Sequence, residues 1–454
     1  MAAPSQGLPA KGLIIAAPSS GSGKTVFTLG LLRALARRGL KVASAKVGPD
    51  YIDPAFHAAA SGRPCFNLDA WAMRPDSLAS RIAALGTDAD LVICEGVMGL
   101  FDGADVPPGE QAGSTADLAA LTGWPVLLLA GVKGQAASAA ALVRGFATHR
   151  DDVTLAGVVF NRVGSPAHRA MIERACQAAL PGLPLVGWVP RHDALIFPER
   201  HLGLVQAGEQ GELDAQLNAV ADVIDQALDL DKGGLQRLLD LARPTGLQVP
   251  AGKTTLLPPP GQRIAVARDC AFAFAYPGLL QGWRQAGAEL SFFSPLADQA
   301  PSADADAVYL PGGYPELHGP CLAAARLFQD GIRAAAGRGA WVFGECGGFM
   351  ALGNAIIDGT GTAHPMIGLL PLTTSFAKRR LHLGYRRISA LADTPFGPAG
   401  TALRGHEFHY SQIDQSSDCP ALFAARTASG RDLGPVGMAL GRVAGSYLHL
   451  IDLE

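Results

Sequence analysis

The chain has 454 residues, 48% of them hydrophobic and only 17% charged, enough for two or three domains with sizeable cores. A formal net charge of −3 gives no global cationic field, so neither nucleic acid nor an anionic membrane is an expected partner. Glycine and proline number 55 and 32, too few together for low-complexity disorder, and seven dispersed cysteines without a CxxC pair fit reduced thiols in the cytoplasm.

In chain order, apolar runs at 13–16, 41–46, 90–94, 126–130, 155–160 and 185–189 predict strands. Stretches 25–38, 114–121, 136–146 and 167–179 predict helices between several of them. Continuous apolar strands alternating with helices indicate an α/β domain whose parallel sheet is covered on both faces. The stretch 124–132 is interrupted by Pro125 and Gly131 and is roughly half as long as a membrane span. The first residues lack the basic start and apolar core of a signal peptide. A helical stretch over 213–241 closes this half. Three prolines at 258–260 make 246–261 the expected linker. The pattern then restarts, with strands predicted at 263–267, 289–293, 307–310 and 341–343 and helices at 277–286 and 316–336. A second α/β domain is expected over 262–454.

APSSGSGKT (17–25) follows a strand and opens an apolar helix, the context of a phosphate-binding loop. Gly21, Ser22 and Gly23 would wrap a phosphate, whose charge meets free N–H groups at the helix start. Lys24 would reach the β- and γ-phosphates, and Thr25 would place its hydroxyl on Mg²⁺. Pro18 stands where the full pattern has glycine, so the loop is a variant. ATP and Mg²⁺ are the expected cofactors. A second Gly-Lys-Thr at 252–254 runs into the prolines with no helix to follow and is rejected.

Asp50 and Asp53 in KVGPDYIDPAFH (46–57), with Glu95 and Asp102 in CEGVMGLFDG (94–103), fall at carboxyl ends of predicted parallel strands. Open α/β sheets bind ligands at that edge. Asp50, Asp53 and Glu95, with Thr25, suit a hard metal ion, and Asp102 suits substrate or intermediate positioning. The competing reading for each is turn capping. Asn161, closing the strand VVFNRVG (158–164), can pair with an adenine edge or cap a helix.

WVFGECGGFM (341–350) places Cys346 after a strand among Gly344, Gly347 and Gly348, the spacing of a nucleophile elbow. The helix start is expected to lower the thiol pKa. Gly347 N–H faces a developing oxyanion, and LPGGYPE (310–316) offers Gly313 as a second donor. His449, about a hundred residues downstream, is the expected base. The histidines of GHEFHYS (405–411) are three apart, which argues against a zinc helix. AKRRLHLGYRR (377–387) is a local basic cluster, either a solvated face or a docking strip for a polyanion.

A nucleotide site plus a Cys–His amide-cleaving site points to a glutamine-dependent amidotransferase. Ammonia is mostly protonated near neutral pH, which explains coupling its release to its use. The motifs above, with PERHLGL (198–204), together resemble the cobyrinic acid a,c-diamide synthases, including the hydrogenobyrinic acid form, over nearly the whole chain. GPDYIDP separates these from the related cobyric acid synthases. The resemblance implies an N-terminal dethiobiotin-synthetase-like P-loop domain (1–245), a linker (246–261) and a C-terminal class I glutaminase-like domain (262–454). It implies a carbon–nitrogen ligase of cobalamin biosynthesis, using ATP, Mg²⁺ and glutamine to amidate the a and c acetates of a corrin-type tetrapyrrole polycarboxylate. A homodimer is one admissible assembly.

Carried over residue by residue, Lys24 and Thr25 bind nucleotide and Mg²⁺. Asp50, Asp53, Glu95 and Asp102 serve the synthetase site, Cys346 is the nucleophile and His449 its base. Triad glutaminases carry an acid two residues after the histidine, but Ile451 stands there. Asp452 or another acid would orient His449, or the site works as a dyad. The runner-up is a cobyric acid synthase. From a different class comes a partition-type positioning ATPase, whose signature lysine is replaced here by Ser19. A non-catalytic glutaminase-like binding protein is disfavoured by Cys346 and His449.

Overall fold

The computed structural model describes residues 11–200, 203–204, 206–209, 211–248 and 256–454. Part of 198–204 and the 252–254 Gly-Lys-Thr lie outside the described residues. These residues form two compact units, one of 11–71, 78–103 and 111–248, the other of 72–77, 104–110 and 256–454. Among the described residues no helix is long and apolar enough to cross a membrane.

The first unit runs β1 (Lys11–Ala16), α1 (Lys24–Arg37), β2 (Val42–Val47), α2 (Asp53–Ser61), β3 (Cys65–Leu68), α3 (Pro75–Gly86), β4 (Leu91–Glu95), α4 (Thr115–Thr122) and β5 (Val126–Gly131). It continues through α5 (Ser138–Thr148), β6 (Leu155–Val163), α6 (Pro166–Ala179), β7 (Leu185–Pro190), the short β8 (Glu199–Arg200) and β9 (Gly203–Leu204), α7 (Leu213–Leu228), α8 (Gly234–Leu241) and β10 (Arg243–Pro244). Seven strands pair in parallel in the order β3-β2-β4-β1-β5-β6-β7. Leu13, Ile14 and Ile15 and the run 126–130 are fully buried, as strands covered on both faces must be. Helix α1 packs closely on α7, and a Cβ on Gly30 would come within 2.5 Å of Ile224.

The central β1 pairs with β4 on one side and β5 on the other. The chain leaves β1 toward β2 on the β4 side and leaves β5 toward β6 on the other, so a topological switch point lies at the carboxyl ends of β1 and β5, where the 17–25 loop sits. The sequence reading missed β3, because CFNL is short and mixed, and also the helices α2 and α3.

The second unit opens with β11 (Arg263–Ala267), α9 (Pro277–Gln285), β12 (Glu289–Phe293), β13 (Ala307–Leu310), α10 (Gly319–Ala324), α11 (Arg326–Gly337), β14 (Trp341–Glu345) and α12 (Gly347–Leu352). Strands follow: β15 (Ala355–Ile357), β16 (Ala363–Pro365), β17 (Leu372–Ser375), β18 (His382–Ala390), β19 (Ala402–His409) and β20 (Gln412–Ser416). The last are β21 (Phe423–Thr427), β22 (Asp432–Val436), β23 (Met438–Leu440), β24 (Val443–Ser446) and β25 (Leu448–Leu453).

A sheet ordered β12-β11-β13-β14-β24-β23, parallel except at β23, carries the α/β pattern. An antiparallel sheet, β22-β21-β18-β19-β25, brings the last strand beside β19. The single helix predicted over 316–336 is broken into a 3₁₀ turn, α10 and α11. Pro320 sits in the first turn of α10, and Ala325 leaves helical geometry at ψ 80°.

Candidate active sites

In the first unit Gly21 and Gly23 take left-handed φ values of 71° and 91°, which side chains rarely adopt. Gly23 precedes α1, and a Cβ there would lie 2.7 Å from Asn161 Nδ2. That amide nitrogen donates to Ser22 O at 2.9 Å, and Arg162 reaches Gly21 O at 2.9 Å. Asn161 thus braces the phosphate loop with one amide proton. It also lines a cavity of about 510 Å³ with Gly23, Phe27, Lys133, Pro190 and Ile224. Lys24 is buried and donates to Ser19 O at 3.3 Å and to Met98 O. Burial, then the neighbouring Lys46, lowers its pKa to about 8.

Thr25 Oγ1 donates to Glu95 Oε1 at 2.6 Å and lies 3.3 Å from Asp53 Oδ2. The sequence reading missed the cation between these carboxylates. Lys46, at the end of β2, holds Asp53 Oδ2 at 2.6 Å and Glu95 Oε1 at 2.7 Å. His57 Nε2 meets Glu95 Oε2 at 2.6 Å, and Cys65 Sγ lies 3.5 Å from its Nδ1. Lys46 and His57 both stand in the KVGPDYIDPAFH motif. A lysine ending a fully buried strand was the signal for the first.

Burial alone would discharge Lys46, but Asp53 and Glu95 outweigh it and hold its pKa well above the ordinary value. Burial would likewise raise Glu95, yet Lys46 and His57 pull it below the usual carboxylate range. Asp53 moves the other way, to about 6, because burial and then Asp50 outweigh Lys46.

Asp50 Oδ1 accepts the N–H groups of Ile52 and Asp53 at 2.8 and 2.9 Å. Asp102 Oδ2 accepts Gly99 N–H at 2.8 Å. Each therefore shapes its own turn. Thr25, Asp53 and Glu95 bring together oxygen donors of the type Mg²⁺ takes, with the Lys46 ammonium holding one oxygen of each carboxylate.

In the second unit Cys346 lies between β14 and α12 with φ 47° and ψ −104°, a strained conformation for a side-chain-bearing residue. The turn is possible only because its neighbours are glycines. A Cβ on Gly348 would sit 1.9 Å from Leu310 O, and one on Gly344 would meet Gly348 at 2.7 Å. A Cβ on Gly347 would lie 3.0 Å from Gly313 N, so the two expected oxyanion positions are adjacent. Gly312 separates the reacting side chains. A Cβ there would be 2.4 Å from His449 Cε1 and 3.4 Å from Cys346 Cβ.

The expected lowering of the thiol pKa is corrected. Burial, then Glu316, pushes Cys346 upward, and the Gly347 N–H offsets only part of this. A six-residue helix cannot offset full desolvation. Burial, then His406 and His409, drives His449 well below its ordinary value, so the ring is a neutral base. Alkylation of Cys346 by iodoacetamide should accordingly keep rising with pH, with no plateau below about pH 9, when followed by peptide mass mapping. A plateau near neutrality would reveal a preformed thiolate.

Asp452 does not serve His449. It takes Arg74 Nε and Nη2 at 3.0 and 2.7 Å and Arg74 N–H at 2.9 Å. A register shift between Arg404 and Gly405 accompanies its place on β25.

His382, Glu407 and His409 bring possible ligand atoms within 4.8 Å. The two rings stack at 4.7 Å with planes 3° apart, so their in-plane lone pairs do not converge on one ion. Arg386 also holds Glu407 Oε2 at 2.7 Å. Of the basic cluster, Arg386 and Arg387 are in ion pairs, whereas Lys378, Arg379 and Arg380 are exposed.

Residues 13–205 match the family model described as the CobQ/CobB/MinD/ParA nucleotide binding domain. Residues 263–454 match the CobB/CobQ-like glutamine amidotransferase domain. Fold and sites thus define a P-loop nucleotide-binding domain joined to a glutamine amidotransferase domain. The chain is 54% identical to the hydrogenobyrinate a,c-diamide synthase of Brucella abortus, over 98% of this chain and 99% of that protein. Proteins of the same name from Rhizobium meliloti and Rhodobacter capsulatus are 52% and 53% identical. They align over 98% and 97% of this chain and 99% and 98% of their own. The chain belongs to the hydrogenobyrinate a,c-diamide synthase family. Among solved structures, a glutamine amidotransferase crystal structure superposes with a TM-score of 0.26 and 18% identity, covering 37% of this chain and 80% of that one.

Proposed function

We propose that this protein uses ATP and glutamine to convert the a and c acetate carboxylates of hydrogenobyrinate to carboxamides. What carries the reading is one chain that pairs a carboxylate-lined phosphate loop with a Cys346 elbow whose gap at Gly312 also borders a neutral His449. We assign 1–245 to the synthetase, 246–261 to the linker and 262–454 to the glutaminase.

In the synthetase unit, backbone N–H groups of 21–23 and Lys24 bind the ATP phosphates. Asn161 and the adjoining cavity take the nucleoside. Thr25, Asp53 and Glu95, with Asp50, would hold Mg²⁺, which neutralises phosphate charge when bound. Lys46 holds Asp53 and Glu95 together and keeps Glu95 ionised. The substrate carboxylate attacks the γ-phosphorus, ADP leaves, and the acyl phosphate then loses phosphate to ammonia. Asp102 positions this intermediate. On the glutaminase unit, exposed Lys378, Arg379 and Arg380 form a basic strip of the kind a polyanion docks on.

In the glutaminase unit, Cys346 Sγ attacks the glutamine carboxamide carbon while His449 takes the thiol proton. N–H groups of Gly313 and Gly347 receive the oxyanion. The proton passes to the leaving ammonia as the C–N bond breaks, and water cleaves the thioester to glutamate. We take the reaction to be cytoplasmic, without nucleic acid or membrane partners, and a homodimer is the assembly to test by light scattering.

The decisive experiment supplies purified protein with Mg·ATP, amide-¹⁵N glutamine and either hydrogenobyrinate or cobyrinate. Two ATP-dependent labelled carboxamides at a and c of hydrogenobyrinate are expected by mass spectrometry and NMR. Label at other carboxylates, or in neither macrocycle, sinks the reading.

A further inference from the structure

Glu345 immediately precedes the nucleophile, at the last position of β14, and is 1% exposed. A charge closing the otherwise apolar strand WVFGE is unusual, because a buried carboxylate is costly unless it is held. Both of its oxygens are held. Oε2 accepts the Tyr309 hydroxyl at 2.7 Å, and Oε1 accepts the N–H of Leu450 at 3.1 Å. Leu450 is the residue next to His449. The carboxylate is therefore pinned to the strand that carries the base, and its Oε2 lies 3.9 Å from His449 Nδ1. That separation is an ion-pair distance, and catalytic contacts of this kind often shorten when substrate binds. Ile451 fills the position where triad glutaminases place an acid, and Asp452 is committed to Arg74.

We propose that Glu345 is the positioning residue that turns His449 Nδ1–H toward its carboxylate, so that Nε2 faces the Cys346 thiol. The inference rests on Cys346 and His449 being the glutaminase pair. Glu345 gives and takes no proton in the cycle. It stabilises the imidazolium that forms when the thiol proton reaches Nε2, and the stabilisation ends when that proton leaves with ammonia.

Other titratable groups around the pair do not replace it. His406 and His409 reach His449 from β19, and burial takes His406 down to about 3, leaving it without charge. Glu407, also on β19, is already held by Arg386 and His409. Glu316 acts on Cys346. Tyr309, from β13, is a donor to Glu345, and burial lifts its own pKa far above the ordinary value. Burial lifts Glu345 to about 7, with Tyr309 and Leu450 pulling it back; the 3.9 Å approach of its Oε2 to His449 Nδ1 is what lets the carboxylate stabilise an imidazolium there.

The test compares glutaminase kinetics of the full-length protein and its Glu345→Gln, Tyr309→Phe and Cys346→Ala variants across pH. Glu345→Gln should lower kcat roughly 100-fold while KM for glutamine stays within about threefold. Its acid limb should move to lower pH, because an imidazolium without its carboxylate loses its proton more readily. Tyr309→Phe loosens one oxygen of the carboxylate and should lower kcat roughly tenfold in the same direction. Retained kcat with an unmoved acid limb in Glu345→Gln overturns the inference. So does a rise in KM with kcat intact. If Glu345→Gln does not fold, unchanged kcat and limb in Tyr309→Phe overturn it equally. Glutamine hydrolysis surviving in Cys346→Ala would instead remove the glutaminase reading beneath it.

Discussion

Replacing Cys346 by alanine should abolish glutamine-dependent amidation, by at least about 10³-fold, while ammonium salts at high pH still support the reaction. The reason is chemical division of labour. The thiol acts only in cleaving the carboxamide and is regenerated when water cleaves the thioester, and acyl phosphate formation involves none of its atoms. The structure sharpens the expectation, since Cys346 is buried and held as a thiol by desolvation. Alanine removes one sulfur and introduces no charge into that surrounding. Parallel assays of glutamate release, ADP release and carboxamide formation, with either nitrogen source, check it. Loss of both activities in a well-folded variant would break the two-site scheme.

Glu95→Gln should have the mirror-image effect, lowering ATP-dependent amidation from either nitrogen source by roughly 10²–10³-fold while glutamine hydrolysis by the other unit persists. Glu95 is fully buried and contacts Thr25, Lys46 and His57 at once. The isosteric amide keeps the shape but removes the charge that balances Lys46. Breaking a buried pair in this way costs about 3–5 kcal/mol, so the unfolding midpoint should also fall. Denaturant unfolding reported from the first unit, run beside the two assays, separates lost stability from lost chemistry. Unchanged amidation would remove Glu95 from the synthetase site.

The two carboxylates of most interest differ because their surroundings differ. Glu95 has Lys46 against one oxygen and His57 against the other, and the gain outweighs desolvation. Glu345 takes hydrogen bonds from a phenol and a backbone N–H, and desolvation outweighs them. An ionised Glu95 faces a cation permanently, whereas the Glu345 carboxylate meets a positive charge only while the imidazolium lasts.

Local sequence determined the parts whose chemistry is contained within a few residues. Gly21, Gly23, Gly347 and Gly348 mark turns that a Cβ or an ordinary φ would forbid, so phosphate loop and elbow were readable from spacing. Alternating buried strands and helices likewise revealed two α/β domains, because covered parallel strands must be apolar throughout. The tertiary structure decided what long-range pairing sets. Lys46 and His57 gain meaning only when parallel β2 and β4 bring them against Glu95. The thiol expectation reversed because depth, invisible in the motif, outweighs a short helix. The acid beside His449 was sought two residues downstream, where Ile451 stands. Glu345 fills that place in space because β14 runs parallel to β24, and β25 then returns Leu450 N–H to its carboxylate. Spacing along a chain reports local turns, but desolvation and charge pairing depend on which distant strands lie side by side.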